Sequence, residues 1–161
     1  MADGTATGKG CARVEAYGSM DELNAHLGLL AALLGDTPEG RTVSWAQGGI
    51  FRACAVLALA SGATFPPGET AEVEKRIDSI QEGLPPQRGF VFPGGCEPSA
   101  RAHVCRTVCR RAERAIFSIG DLSAEEKEVA KYANRLSDLL FVLARRLDQL
   151  HGPVEKIWDG R

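Results

Sequence analysis

Charge of one sign, aromatic side chains and long apolar runs are all scarce in this sequence of 161 residues. The 19 Lys and Arg residues nearly balance the 21 Asp and Glu residues, for a formal net charge of −2, which argues against non-specific nucleic-acid binding. No apolar run approaches the roughly 20 residues that a membrane-spanning helix needs. The amino-terminal segment MADGTATGKG has no apolar stretch of the secretory kind, so we expect a cytoplasmic protein.

The five cysteines are odd in number and include no Cys-x-x-Cys pair, so neither a disulfide framework nor a zinc site is indicated. Cys105 and Cys109 are spaced by one helical turn, which could suggest a metal pair, but no histidine is suitably spaced to complete a metal site. We interpret both as small, reduced thiols on a buried helix face. For His26 and His103 we expect packed or solvent-facing positions, and we predict no metal site.

Apolar periodicity predicts five helices. The first is opened by a capping box at Ser19 and Glu22 and ends at Gly35; the others cover about 41–61, 69–82, 97–119 and, after a second capping box at Ser123 and Glu126, about 124–150. The one β-prone run, 89–92, is too short to form a sheet. Short polar connections between helices predict an all-α five-helix bundle over 13–151, with an irregular segment at 1–12 and a tail at 152–161.

An arginine ladder stands out in the fourth of these helices. Arg106, Arg110 and Arg114 recur every four residues in RTVCRRAER, so they lie along one helix face. Stacked guanidiniums repel each other unless a partner helix or a ligand supplies negative charge, and a polyphosphate suits their forked donors. The simpler alternative is a solvated face, or ion pairs that brace the bundle, with Arg110 and Glu113 pairing locally.

Other segments also have both an ordinary and a functional interpretation. Asp21 either complements the helix dipole in a first turn or crosses to pair with a ladder arginine. The glycine-containing loops at 7–10 and 90–95 can bring backbone N–H groups to an anion, but neither has P-loop spacing. The last helix carries a polar and aromatic series on one face, namely Asn134, Asp138, Phe141 and Arg145.

Taken in order, the segments AYGSMDELNAHLG, FVFPGG, AHVCRTVCRRAER and YANRLSDLLFVLAR resemble the PduO-type ATP:cob(I)alamin adenosyltransferases. The similarity covers about residues 13 to 150. It implies a five-helix bundle that assembles as a homotrimer with sites between neighbouring subunits. The implied reaction transfers the 5′-deoxyadenosyl group of ATP to cob(I)alamin, forming adenosylcobalamin and releasing triphosphate. ATP, Mg²⁺ and cob(I)alamin are then the expected small molecules, and a cobalamin-dependent enzyme is an expected acceptor; neither nucleic acid nor a membrane is an expected partner.

The resemblance also assigns roles to individual residues. It implies that Asp21 pairs with Arg106, and that these two residues and Phe90 are catalytic. It implies that Phe90 and Phe141 line the corrin face, where they crowd out the lower axial ligand and so ease reduction to Co(I). The residues that it places at ATP are Arg110, Glu113, Arg114 and Asn134.

The amino-terminal loop departs from the family pattern. Family members usually have a TGDxGTT loop around the phosphates, whereas this chain has only Thr7, Gly8, Lys9 and Gly10 before Cys11. Those four residues are either a remnant that still binds a phosphate of ATP or a disordered end, and we assign them to ATP binding. The shortened loop leaves two alternatives open: a catalytically weakened paralogue that carries or senses a corrinoid or nucleotide, and a partner subunit that contributes half of an intersubunit site.

Overall fold

The computed structural model describes residues 4, 8, 10–152 and 155–159. Five helices account for most of this part of the chain: α1 Ala12–Leu34, α2 Pro38–Leu57, α3 Glu69–Gln81, α4 Glu97–Phe117 and α5 Ala124–His151. The described residues contain no named strand, and the β-prone run contributes one isolated bridge, between Val91 and Ile157. The predicted all-α bundle is confirmed. No helix in the described part is long and apolar enough to cross a membrane.

Helix α5 is the centre of the bundle. It packs against α4, α3 and α2, and α1 packs against α4 and α2. The largest fully buried side chain is Tyr132 of α5. Its hydroxyl donates to the carbonyl of Ala46 on α2 at 3.3 Å, and its ring meets Phe65 edge-on with 5.2 Å between ring centroids. This one side chain therefore ties α5 to α2 and to the loop after it.

The predicted start of the first helix is wrong. Helix α1 begins at Ala12, with Cys11 as its N-cap, so Ser19 and Glu22 are interior residues and form no capping box. Ser19 is buried, and its Oγ donates to Glu15 Oε1 at 3.3 Å. The interpretation of Asp21 as a first-turn residue fails for the same reason. Nothing between Ala12 and Ser19 interrupts helical hydrogen bonding, since a lone glycine within a helix is tolerated.

Helix α2 lies a few residues earlier than predicted. Thr37 is its N-cap and accepts a hydrogen bond from Gly40 N at 3.0 Å, with Pro38 in the first turn, a favoured arrangement because proline has no N–H to leave unpaired. The helix ends at Leu57, and Leu59 just beyond it has a positive φ of 56°, which is incompatible with a continuing helix. Helices α3, α4 and α5 match their predicted ranges to within two residues, and the capping box of Ser123 and Glu126 is present.

Candidate functional site

The arginine ladder lies on the outer side of α4. Arg110 and Arg114 are exposed and Arg106 is half-buried. The opposite side of the helix is small and apolar, with Cys105, Val108, Cys109 and Ala112 all buried. The predicted burial of Cys105 and Cys109 is confirmed, and the arginines of α4 face outward.

Within residues 10–152 and 155–159, no carboxylate lies within 4.0 Å of a ladder arginine. Arg114 Nη1 donates to the carbonyl of Arg110 at 3.1 Å. The Nε atom of Arg106 is buried without a hydrogen-bond partner in that part of the chain. Burial, and then the like charge of Arg110, lower the pKa of Arg106. The local pairing of Arg110 with Glu113 is thus not formed, and the described chain leaves three guanidiniums without an anion.

Asp21 is exposed, and in the same part of the chain it makes no ion pair with Arg106. The ion pair that does cross from α1 to α4 joins Glu22 to Arg111. The other carboxylate oxygen of Glu22 lies 4.0 Å from His26 Nε2. Within the described part of a single chain, Asp21 and Arg106 therefore form no ion pair.

Glu113 and Asn134 are brought together across α4 and α5. Asn134 Nδ2 donates to Glu113 Oε1 at 2.9 Å. Both residues line a hollow of about 470 Å³, together with Thr70 and Phe117. Two residues that the resemblance assigns to ATP therefore share one concave surface, and they present an amide and a carboxylate there.

Phe141 lines a second hollow of about 450 Å³, together with Gln87, Asp138 and Arg135. Its ring meets the ring of His103 edge-on, with 6.2 Å between centroids. His103 is 3% exposed, and neither ring nitrogen has a partner among the described residues. Burial, and then the charge of Arg106, lower the pKa of His103, which favours the neutral imidazole. Of the two positions expected for His103, the packed one is confirmed.

Phe90 has a different environment from Phe141. Its side chain is 75% exposed, on a loop that pairs with the carboxy-terminal segment. Trp158 N donates to the carbonyl of Phe90 at 2.8 Å, and Phe92 N donates to the carbonyl of Lys156 at 2.9 Å. The rings of Phe90 and Trp158 lie 6.2 Å apart between centroids. Sequence reasoning missed Trp158, because no short-range pattern links it to Phe90.

The remaining predicted residues lie elsewhere. Thr7 and Lys9 are outside the described residues, while Gly8 and Gly10 are exposed, and the carbonyl of Gly8 accepts a hydrogen bond from Cys11 N at 3.0 Å. Arg145 is buried, and its Nε donates to Glu155 at 2.7 Å, so it braces the end of α5. In the described part of the chain, no three His, Cys, Asp or Glu side chains cluster closely enough to hold a metal ion.

Comparison with known proteins places these features in a family. The family model described as Cobalamin adenosyltransferase matches residues 1–147. The Cobalamin adenosyltransferase of Cupriavidus metallidurans is 38% identical over 161 residues, covering 99% of this chain and 87% of that protein. The Corrinoid adenosyltransferase PduO of Salmonella typhimurium is 37% identical over 142 residues, which cover 84% of this chain and 42% of that protein.

Solved structures give the same result. One is a variant PduO-type ATP:corrinoid adenosyltransferase from Lactobacillus reuteri, complexed with cobalamin and ATP. It matches this chain with a TM-score of 0.87 and 28% sequence identity, over 96% of this chain and 90% of that one.

Proposed function

The chain belongs to the cobalamin adenosyltransferase family, and we propose that the arginine ladder of α4 holds the triphosphate of ATP for its reaction. That reaction is the ATP-dependent transfer of an adenosyl group to cobalamin. The observation that supports the role of the ladder is its lack of carboxylates: within the described chain, Arg106, Arg110 and Arg114 have no acidic partner. A triphosphate supplies the anion that this face lacks.

The chemistry needs such a surface. Cob(I)alamin supplies both electrons of the new cobalt–carbon bond, the bond from the 5′ carbon of the ribose to oxygen breaks, and triphosphate leaves with that electron pair. Negative charge therefore grows on the triphosphate during transfer. Guanidiniums that are already in place stabilise the transition state, in which the triphosphate carries more negative charge, more than they stabilise bound ATP. The ladder therefore accelerates transfer as well as binding ATP.

Glu113 and Asn134 are suited to the nucleoside part of ATP. Their side chains are already hydrogen-bonded to each other at the edge of one hollow, and together they offer both donors and acceptors to ribose hydroxyls or to the base. Mg²⁺ fits as a companion of ATP, since Mg²⁺ is commonly bound through substrate phosphates with few protein ligands. The phosphates would hold the ion, and its charge would offset part of the negative charge of the triphosphate.

Phe90 and Phe141 supply the apolar surface for the corrin. The exposed ring of Phe90 and the half-buried ring of Phe141 offer no atom that could act as a lower axial ligand. They would also keep water from that position, which favours the lower coordination number from which Co(I) is formed.

The complete site is an assembly of neighbouring subunits in a homotrimer. Two observations support this proposal. The first is that Asp21 is exposed and Arg106 Nε has no partner among the described residues, so Asp21 of one subunit can pair with Arg106 of the next. Large apolar side chains are also exposed on the helices that carry this pair, with Leu29 on α1 56% exposed and Val104 on α4 45% exposed. A neighbouring subunit packed on these two helices would remove such apolar area from water.

The test is anaerobic conversion of reduced cob(I)alamin with MgATP, followed by visible spectroscopy. We expect adenosylcobalamin to form, and Arg110→Ala to lower kcat/KM about 10- to 100-fold, because a hydrogen bond to a charged group contributes about 1.5–3 kcal/mol. Arg101→Ala is the matched control: Arg101 lies on α4 but is paired with Glu97 at 2.6 Å. Unchanged turnover in Arg110→Ala would show that the ladder has no such role. Corrinoid binding without ATP-dependent product would instead support the weakened paralogue.

A further inference from the structure

The two hollows that flank α5 share a wall. Glu74 of α3 and Arg135 of α5 line both of them. One hollow contains Glu113 and Asn134, and the other contains Phe141. The surface assigned to the nucleotide therefore adjoins the surface assigned to the corrinoid. The boundary between them is formed by the guanidinium of Arg135 and the carboxylate of Glu74.

The head group of Arg135 is held from two sides. Its Nε donates to Glu74 Oε1 at 3.0 Å, and its Nη1 donates to Asp138 Oδ2 at 3.2 Å. The guanidinium thus bridges α3 and α5, and Asp138, one turn further along α5, fixes its orientation. Asp138 belongs to the predicted polar face of the last helix, and like Arg145 it has no role in the proposed reaction.

Stability does not explain this arrangement. The side chains of all three residues are 48% exposed, and ion pairs in contact with water contribute little to folding. The two hydrogen bonds do fix the position of the planar guanidinium, since Arg135 cannot rotate without breaking one of them. A lysine in its place would present a single point charge and could not hold both carboxylates in one plane.

We propose that Arg135 is a positioning residue, which sets the separation between the nucleotide and the corrinoid during adenosyl transfer. This inference rests on the proposed function, because it requires ATP beside Glu113 and Asn134 and the corrin beside Phe141. Transfer happens only when the 5′ carbon comes within bonding reach of cobalt, and a displacement of about 1 Å can lower a rate about 100-fold. A guanidinium held by two carboxylates where the two surfaces adjoin would meet that requirement.

The experiment compares Arg135→Gln, Arg135→Lys and Glu74→Gln with Arg101→Gln, a control of similar exposure on α4 that lines neither hollow. For each variant kcat and both KM values are measured in the anaerobic assay, and folding is checked by circular dichroism. We expect kcat to fall about tenfold in all three test variants, with both KM values changed less than about twofold, because positioning acts on the transition state. The double variant Glu74→Gln/Arg135→Gln is expected to lose no more than the worse single variant, since the two side chains act as a unit.

Wild-type kcat in Arg135→Gln would overturn the inference, and so would a loss confined to KM for ATP, which would indicate direct binding. Full activity in Arg135→Lys would mean that only the charge matters, and it too would overturn the positioning role. This failure is distinguishable from failure of the proposed function. If Arg110→Ala is impaired while Arg135→Gln is not, the ladder keeps its role at the triphosphate and Arg135 has no part in positioning.

Discussion

Asn134 of α5 donates a 2.9 Å hydrogen bond to Glu113 of α4. The contact connects two helices at the rim of a hollow, and both of its members belong to long sequence motifs that the family resemblance picks out. Its geometry leaves Asn134 with a free amide oxygen and Glu113 with a second carboxylate oxygen, so the pair can bind a ligand without breaking its own hydrogen bond.

Replacing Asn134 with alanine should weaken ATP binding. The variant loses the amide and also releases the carboxylate of Glu113 from its fixed position, so we expect the Kd for ATP to rise about tenfold, in line with a hydrogen bond to a charged group. Isothermal titration calorimetry measures the change. Glu128→Gln, on the same helix but paired with Lys131, is the control. An unaltered Kd in Asn134→Ala would remove the residue from the nucleotide site.

Gly49 should not tolerate a side chain. A Cβ at this position would lie 2.0 Å from Tyr132 Oη and 2.6 Å from Cζ, and Tyr132 is fully buried. We expect Gly49→Ala to lower the free energy of unfolding by about 1–3 kcal/mol, as overpacking in a core does. The neighbouring Gly48→Ala, whose Cβ would meet only Arg52 Nη1 at 3.5 Å, should instead raise that free energy by about 0.5–1 kcal/mol. Denaturant unfolding of both variants decides the point, and equal stability of the two would contradict it.

Part of the stability of the bundle should be lost in acid through Glu126. Burial opposes ionisation of this carboxyl, but hydrogen bonds from Arg13 and from the Ser123 backbone outweigh burial, and together they lower the pKa of Glu126. A carboxyl with a lowered folded-state pKa stabilises the fold fully above its unfolded pKa of about 4.3 and loses that contribution as pH falls through the folded value.

The measurement is the difference in melting temperature between wild type and Glu126→Gln, which keeps the capping geometry without the charge. We expect this difference to be largest near neutral pH and to shrink in acid. The control Glu128→Gln should follow the acid response of the wild type. A difference that stays constant with pH would mean that the charge of Glu126 is irrelevant.

The buried thiols should be inert in the native protein. Burial raises the pKa of Cys105 to about 12 and the pKa of Cys54 to about 11, and burial also raises the pKa of Cys109. Because the thiolate is the reactive form, iodoacetamide at mildly alkaline pH should leave Cys105 and Cys109 unmodified, while both react once the protein is unfolded. Mass spectrometry of the labelled peptides checks this, and rapid native labelling of Cys109 would contradict its burial.

The limits of a helix could be predicted from the sequence wherever its capping and helix-breaking residues lie at the ends of the segment that packs into the core. The last three helices are bounded by proline, glycine or a serine cap, and their predicted limits are accurate. The start of α1 was mispredicted because Ser-x-x-Glu is a local pattern. Whether it caps a helix or lies inside one depends on the preceding residues, and in this chain Ala16 and Met20 both bury against the core and favour an uninterrupted helix.

The candidate site could be predicted only in part. The arginine ladder is a matter of spacing along one helix, so it was visible directly. The hydrogen bond from Arg135 to Glu74 and the pairing of Phe90 with Trp158 each join segments that are distant in sequence. The pattern of residues within one segment does not indicate which residues of another segment it will face. That the ladder arginines pair with no carboxylate of the described residues could not be predicted from the sequence either, since Glu113 is close enough in sequence to have paired with Arg110.

The pairing between the Phe90 loop and residues 156–158 makes the loop depend on a segment beyond the last helix. Trp158 N donates to the carbonyl of Phe90, and Phe92 N donates to the carbonyl of Lys156. Helix α4 with its arginines, and the contact of Asn134 with Glu113, do not involve that segment. Proteolytic removal of residues 156–158 would therefore release the loop that presents Phe90 and leave the nucleotide surface in place.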